Sequence, residues 1–122
     1  MSTPTIRVLI TGSRDWNDAE FITERLVALS ANHDYRLTIV EGGARGADYI
    51  AMGVALRYGW PVEEYPADWS KGRAAGVIRN QQMVDTKPDY CYAFIRNNSK
   101  GATHCANAAK KAGIPTVIFR SN

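Results

Sequence analysis

The sequence predicts an α/β domain of Rossmann-like, three-layer type, with a five-stranded, mostly parallel sheet and helices on both faces. Three observations carry that expectation. Apolar β-type runs alternate with helical stretches along the whole chain. The runs are nearly continuous in apolar residues, as strands buried on both faces are. Glycine-rich turns stand where a strand gives way to a helix, above all in Glu41-Gly42-Gly43-Ala44-Arg45-Gly46-Ala47-Asp48.

Taken in order, Ile6–Thr11 is the first expected strand. Asn17 or Asp18 then caps a helix that runs to about Ala31, with Ala19, Ile22, Leu26 and Leu29 at helical spacing. Leu37–Val40 is the second strand. A helix from about Gly46 to Tyr58 follows, with Ala47, Ile50, Ala51, Val54 and Tyr58 on one face and Gly59 as its stop. Pro61–Tyr65 is a short third strand, and 66–72 a loop that leads into a helix ending near Thr86. Tyr90–Ile95 is the fourth strand, Asn97–Gly101 a loop, Thr103–Ala112 a small-residue helix closed by Gly113, and Thr116–Phe119 the last strand. Right-handed crossovers suit the Rossmann-like class, and strand order 3-2-1-4-5 is the assumed arrangement, which would put the switch point between the first and fourth strands.

Composition narrows the class. The 122 residues are 45% hydrophobic and 22% charged, which suits one domain over 1–122 with a single core. No apolar run approaches the ~20 residues that span a bilayer. The start, Met1-Ser2-Thr3-Pro4-Thr5, has neither the charge nor the apolar core of a signal segment, so a cytoplasmic location and no membrane partner are expected. A formal charge of +3 is mildly basic and lacks the clustered Lys/Arg of a dedicated duplex-DNA binder. Cys91, Cys105, His33 and His104 show no metal-ligand spacing and read as packed thiols and surface imidazoles, so no metal and no required cofactor are expected.

In open α/β sheets ligands bind beyond the carboxyl ends of the strands. The chemically distinctive residues gather there: Gly12, Ser13, Arg14, Asp15 and Trp16; Gly42, Gly43, Arg45, Gly46 and Asp48; Asp68 and Trp69; Gly101 and Thr103. Bare backbone at a helix N-terminus attracts anions. On this reading the amides of 42–46, with Arg14 or Arg45, hold a phosphate. Ser13 and Thr103 offer hydroxyls, Asp48 or Asp15 accepts ribose hydroxyls, and Trp69 or Trp16 stacks on a base. Gly76, Arg79, Asn80 and Met83 share one helix face, a mixture unlike a core stripe that would abut ligand or a partner helix. Tyr49, Met52, Leu56 and Tyr58 make the second helix apolar nearly all round, which fits either an interface or deep internal cover.

Gly12-Ser13-Arg14-Asp15-Trp16, the 41–48 turn, Pro66-Ala67-Asp68-Trp69 and the helix Ala75 to Met83 together resemble the YspA-type branch of the SLOG superfamily, named for Smf and Lonely Guy proteins and met in phages and bacteria. The resemblance implies a Rossmann-like fold, a nucleotide-related ligand at the glycine-rich turns, and homo-oligomers. It leaves three functions open. The first is a binder of a nucleotide or nucleotide-derived signal, of NAD or ADP-ribose kind, acting as sensor or sponge. The second is a Lonely Guy-type nucleoside monophosphate hydrolase. The third is a Smf-type single-stranded DNA binder, with Trp16 or Trp69 under the bases and Arg14, Arg45 and Lys71 on the phosphates. Lonely Guy proteins carry Pro-Gly-Gly-x-Gly-Thr-x-x-Glu, whereas Glu41 stands here in the proline place and Ile50 four beyond Gly46. A catalytic role would fall to Asp48 or Glu41. The Gly-x-Ala-Arg-Gly-x-Asp run is closer to the Smf pattern, and binding is the leading expectation.

Overall fold

Five strands and four helices alternate along residues 4–121, which a computed structural model describes. They are β1 (Thr5–Gly12), α1 (Ala19–His33), β2 (Arg36–Glu41), α2 (Ala47–Tyr58), β3 (Val62–Glu64), α3 (Ala75–Asp85), β4 (Tyr90–Arg96), α4 (Lys100–Lys111) and β5 (Thr116–Ser121). The sheet has the order β3-β2-β1-β4-β5, and every pairing is parallel. Register is set by the buried runs: Val8 lies beside Ile39, and Ile10 beside Tyr92.

Period-two alternation sorts the strand residues into two layers. Ile6, Val8, Ile10, Leu37, Ile39 and Phe94 pack under Ile22, Leu26 and Leu29 of α1 and Ala47, Ala51 and Val54 of α2. On the other face Leu9, Val40 and Cys91 meet Met83 and Val84 of α3 and Cys105 and Ala109 of α4. Ala93 and Ile95 close that layer against Ala102 and Ala106. Each fully buried aliphatic side chain contributes roughly 1.5–3 kcal/mol. Local chemistry fixes the helix ends. Asp18 accepts from the Phe21 amide at the start of α1, Ser99 from the Ala102 amide at the start of α4, and Gly59 closes α2 in the left-handed region.

Several boundaries differ from the sequence expectation. The Ser99 cap starts α4 at Lys100, before Thr103. The expected loop 66–72 runs into a 3-10 stretch, Trp69–Ala74, capped by Asp68 and broken at Gly72, where φ is 75°. The regular helix therefore begins at Ala75, because Gly72 departs from helical backbone. Ala19, in the first turn of α1, is exposed. Tyr58 leaves the buried face of α2, being 47% exposed, and Tyr49 and Leu56 are 60% and 71% exposed. Deep internal cover of α2 is thereby excluded, and its outer apolar face is open in the single chain. No helix among the described residues is long and apolar enough to cross a membrane.

A candidate anion-binding cleft at the switch point

The chain leaves β1 toward the α1 layer and β4 toward the α4 layer, so a crevice opens between the two strand ends. It encloses about 480 Å³. Thr11, Gly12, Ser13 and Asp48 form its floor. Trp69, Arg73, Gly76, Arg79, Asn80 and Met83 line one side; Arg14, Asp15, Arg96, Asn97, Ser99 and Gly101 also border it. The mixed face of α3 thus faces the cleft. A shallower hollow of about 340 Å³ adjoins it, sharing Arg14, Ala44, Trp69 and Arg79 and adding Gly42, Gly43 and Arg45. Gly46 borders a third hollow beside Arg14, Trp16 and Tyr49.

The glycine-rich turn is built around its own carboxylates. Oδ2 of Asp48 accepts from the amides of Gly42 at 3.1 Å and Ala44 at 3.3 Å, and Oε2 of Glu41 accepts from the amide of Gly43. The expected phosphate donors at 42–44 are therefore occupied. Gly46 has a φ of 76°, and a Cβ there would overlap the carbonyl of Ser13, which in turn accepts from the Ala47 amide. Gly12 likewise lets Ala47 sit directly against β1. These glycines bring α2 onto the first turn.

Other expected ligand groups are committed locally. Ser13 is buried; its hydroxyl donates to the Arg96 carbonyl at 2.9 Å and accepts from the Arg96 amide at 2.7 Å. Asp68 is exposed and turned onto Ser70, whose amide and hydroxyl it accepts. Thr103 donates to the Ser99 carbonyl at 2.7 Å and borders a separate hollow with His104 and Arg120. Trp16 is a core residue, 4% exposed, packed on Phe21 and Phe94 with its indole N–H on the Asp18 carbonyl, so it offers no stacking face. Glu41 is fully buried and does not line the cleft. Asp15 accepts from the Asn97 side chain at 2.8 Å.

The groups that remain free are chiefly cationic and aromatic. Trp69 is 58% exposed, and the Arg14 guanidinium lies 5.9 Å from its ring centroid, within cation–π range. Neither Arg14 nor Arg73 has a hydrogen-bond or carboxylate partner among the described residues; the ion pair found there joins Arg7 to Glu63. Arg79 is engaged with the Gly42 carbonyl and with Asn80, whose amide reaches the Gly101 carbonyl at 3.4 Å. Arg96, which sequence reasoning passed over, donates from Nη1 to the Asp15 carbonyl at 3.1 Å, while its Nε is buried without a partner. Its only sequence signal was a cation at the end of the fourth apolar run.

Burial pushes the Asp48 carboxyl up to about 6, while the Ala44 and Gly42 amides and the charges of Arg79 and Arg14 oppose that rise. Burial also pushes Glu41 up to about 8, opposed by the Gly43 amide and reinforced by Glu64 and Asp48. Cys91 and Cys105 are free, buried thiols, and burial raises both, Cys105 to about 11. His104 is half-buried rather than fully at the surface, with Nδ1 unpartnered. No three His, Cys, Asp or Glu side chains among the described residues gather to hold a metal ion.

Comparison with known proteins agrees with this architecture. The family model described as the YspA, cpYpsA-related SLOG family matches residues 6–72. The Gene 61 protein of Mycobacterium phage D29 is 42% identical over 123 residues, an alignment covering 93% of this chain and 95% of the phage protein. No solved structure matches.

Proposed function

The chain belongs to the YspA, cpYpsA-related SLOG family, and from that premise we propose that it binds a nucleotide or nucleotide-derived signal molecule, of NAD or ADP-ribose kind, in the cleft between β1 and β4, as a sensor or a sponge. The observation that carries this reading is the pairing of two unpartnered guanidiniums, Arg14 and Arg73, with the exposed face of Trp69 in one cavity of about 480 Å³. Guanidiniums suit phosphate oxygens, and an indole face suits a base. Asp48 supplies an acceptor for sugar hydroxyls: its Oδ1 takes no donor from the described residues, whereas Oδ2 is filled.

Calorimetry against nucleoside mono- and diphosphates, NAD, ADP-ribose and cyclic ADP-ribose tests the reading, with mass spectrometry of small molecules released from denatured, cell-purified protein. Micromolar binding that weakens in Arg14→Ala is the expected result. Absence of binding across the panel overturns it.

One observation favours a second reading, hydrolysis of a nucleotide glycosidic bond. Asp48, pushed up to about 6, is a cleft carboxyl suited to proton transfer. Chromatographic release of free base from nucleoside monophosphates, lost in Asp48→Asn, would establish it. Retention of oligonucleotides at low salt would instead point to single-stranded DNA, though Arg45 and Lys71 lie outside the main cleft. A homo-oligomer belongs to the same proposal, with the exposed face of α2 as the surface a second copy covers; light scattering measures it.

A further inference from the structure

The glycine-rich turn and the free arginines Arg14 and Arg73 offer one cleft opposite chemistry, although Arg14 itself stands beside the turn. At the turn, the amides of Gly42, Gly43 and Ala44 already hold carboxylate oxygens of Asp48 and Glu41. An incoming phosphate finds no free donor on those amides and meets the Asp48 charge. In the same cleft, Arg14 and Arg73 carry no protein acceptor among the described residues, and the buried Nε of Arg96 lacks one as well. The carboxylate next to Arg14 in sequence, Asp15, is occupied by the Asn97 amide.

We infer that the ligand lies with its phosphate on Arg14 and Arg73, reaching toward Arg96, and with a hydroxyl-bearing sugar on Asp48, so that Asp48 selects the sugar while the turn's amides at 42–44 are closed to phosphate. The inference rests on the nucleotide reading for its sugar half; the anion half stands by itself. A bidentate guanidinium matches two phosphate oxygens, and two such forks account for a terminal phosphate or a pyrophosphate. Oδ1 of Asp48 is an acceptor without a donor, and it prefers hydroxyls to anions. A ribose is distinguished from a dideoxyribose there because the analogue covers the Asp48 acceptor without offering it a donor.

The test uses the whole protein and inorganic pyrophosphate as the first probe, titrated by calorimetry at fixed salt. The wild type binds it. Arg14→Ala/Arg73→Ala weakens it at least tenfold, and because both side chains are exposed and unpartnered the melting temperature stays within a few degrees. Asp48→Asn leaves pyrophosphate binding equal or modestly tighter. The second probe is the ratio of affinities for AMP and 2′,3′-dideoxy-AMP. That ratio is severalfold or more in the wild type, persists in the arginine variant, and falls toward one in Asp48→Asn. No pyrophosphate binding by the wild type, or undiminished binding by the double arginine variant, overturns the assignment. Equal affinity of the wild type for the two nucleotides overturns its sugar half. If pyrophosphate binds in an arginine-dependent way while no nucleotide binds, the anion site stands and the nucleotide reading falls.

Discussion

Nη1 of Arg79 on α3 donates to the carbonyl oxygen of Gly42 in the turn after β2, at 2.5 Å and across 37 positions of sequence. The guanidinium lies where a Gly42 side chain would be, so the glycine and the arginine are two halves of one fitting. Gly42→Ala is expected to displace the guanidinium and destabilise the fold by about 1.5–3 kcal/mol, the range for a hydrogen bond to a charged group. Arg79→Ala loses a similar amount. The double variant should lose less than the sum, because both changes remove the same bond. Urea unfolding of the four proteins checks this, and strict additivity would refute it.

Two glycines of one helix region are expected to respond in opposite directions. Gly46→Ala forces a side chain into a φ of 76° and onto the Ser13 backbone, for a loss of about 3 kcal/mol or more. Gly53, inside α2, has open space around its would-be Cβ, and Gly53→Ala should gain about 0.5–1 kcal/mol. Thermal melts of the two variants make the comparison.

Stability should fall as pH rises, because two carboxyls titrate later in the folded chain than in the unfolded one. Glu41 is raised from 4.5 to about 8, and Asp48 from 3.8 to about 6. Between those limits the folded state retains protons that the unfolded state has released. The associated stability is complete below the unfolded values and is lost as pH passes the folded ones. Retaining one proton costs the folded state about 1.4 kcal/mol of its advantage for each pH step, so the change across the window is on the order of a few kcal/mol. Glu41→Gln should flatten the fall up to about pH 8 and Asp48→Asn that up to about pH 6, measured by unfolding free energy from about pH 4 to 9. An unchanged profile in both variants would contradict the burial argument.

Intrinsic fluorescence separates the tryptophans by position. Trp16 is in the core, Trp60 stacks on Tyr58, and Trp69 lines the cleft. Ligand binding is expected to quench or shift emission by tens of percent, and Trp69→Phe should abolish that response while leaving the fold intact. A full response in Trp69→Phe would place the ligand elsewhere.

The fold class and the strand-end location of the cleft were legible because continuous apolar runs alternate with helical spacing; strand order was not fixed by that pattern, which only narrows the topologies to a few. The availability of each polar group was not legible. Asp68 and Thr103 satisfy partners two and four residues away, bonds of a kind that short polar side chains make locally, whereas Ser13 finds Arg96 on the neighbouring strand, 83 positions on. Trp16 and Trp69 are alike in sequence, and only packing separates the buried ring from the exposed one. Arg96 belongs to no motif; it reaches the cleft because β4 ends there. The backbone break at Gly72 hid in a stretch whose composition fitted either loop or helix.

The Ser13 hydroxyl, bonded both ways to the peptide of Arg96, has a mechanical consequence. It extends the coupling of β1 and β4 past their last paired residues, Gly12 and Phe94, at the point where their crossovers diverge. The two strand ends beneath the cleft are consequently expected to behave as one stiff plate. The opposing 69–74 stretch buries none of its side chains and bends at Gly72. Ligands of different bulk would be accommodated by yielding on that side, with the plate as the fixed jaw of an adjustable clamp.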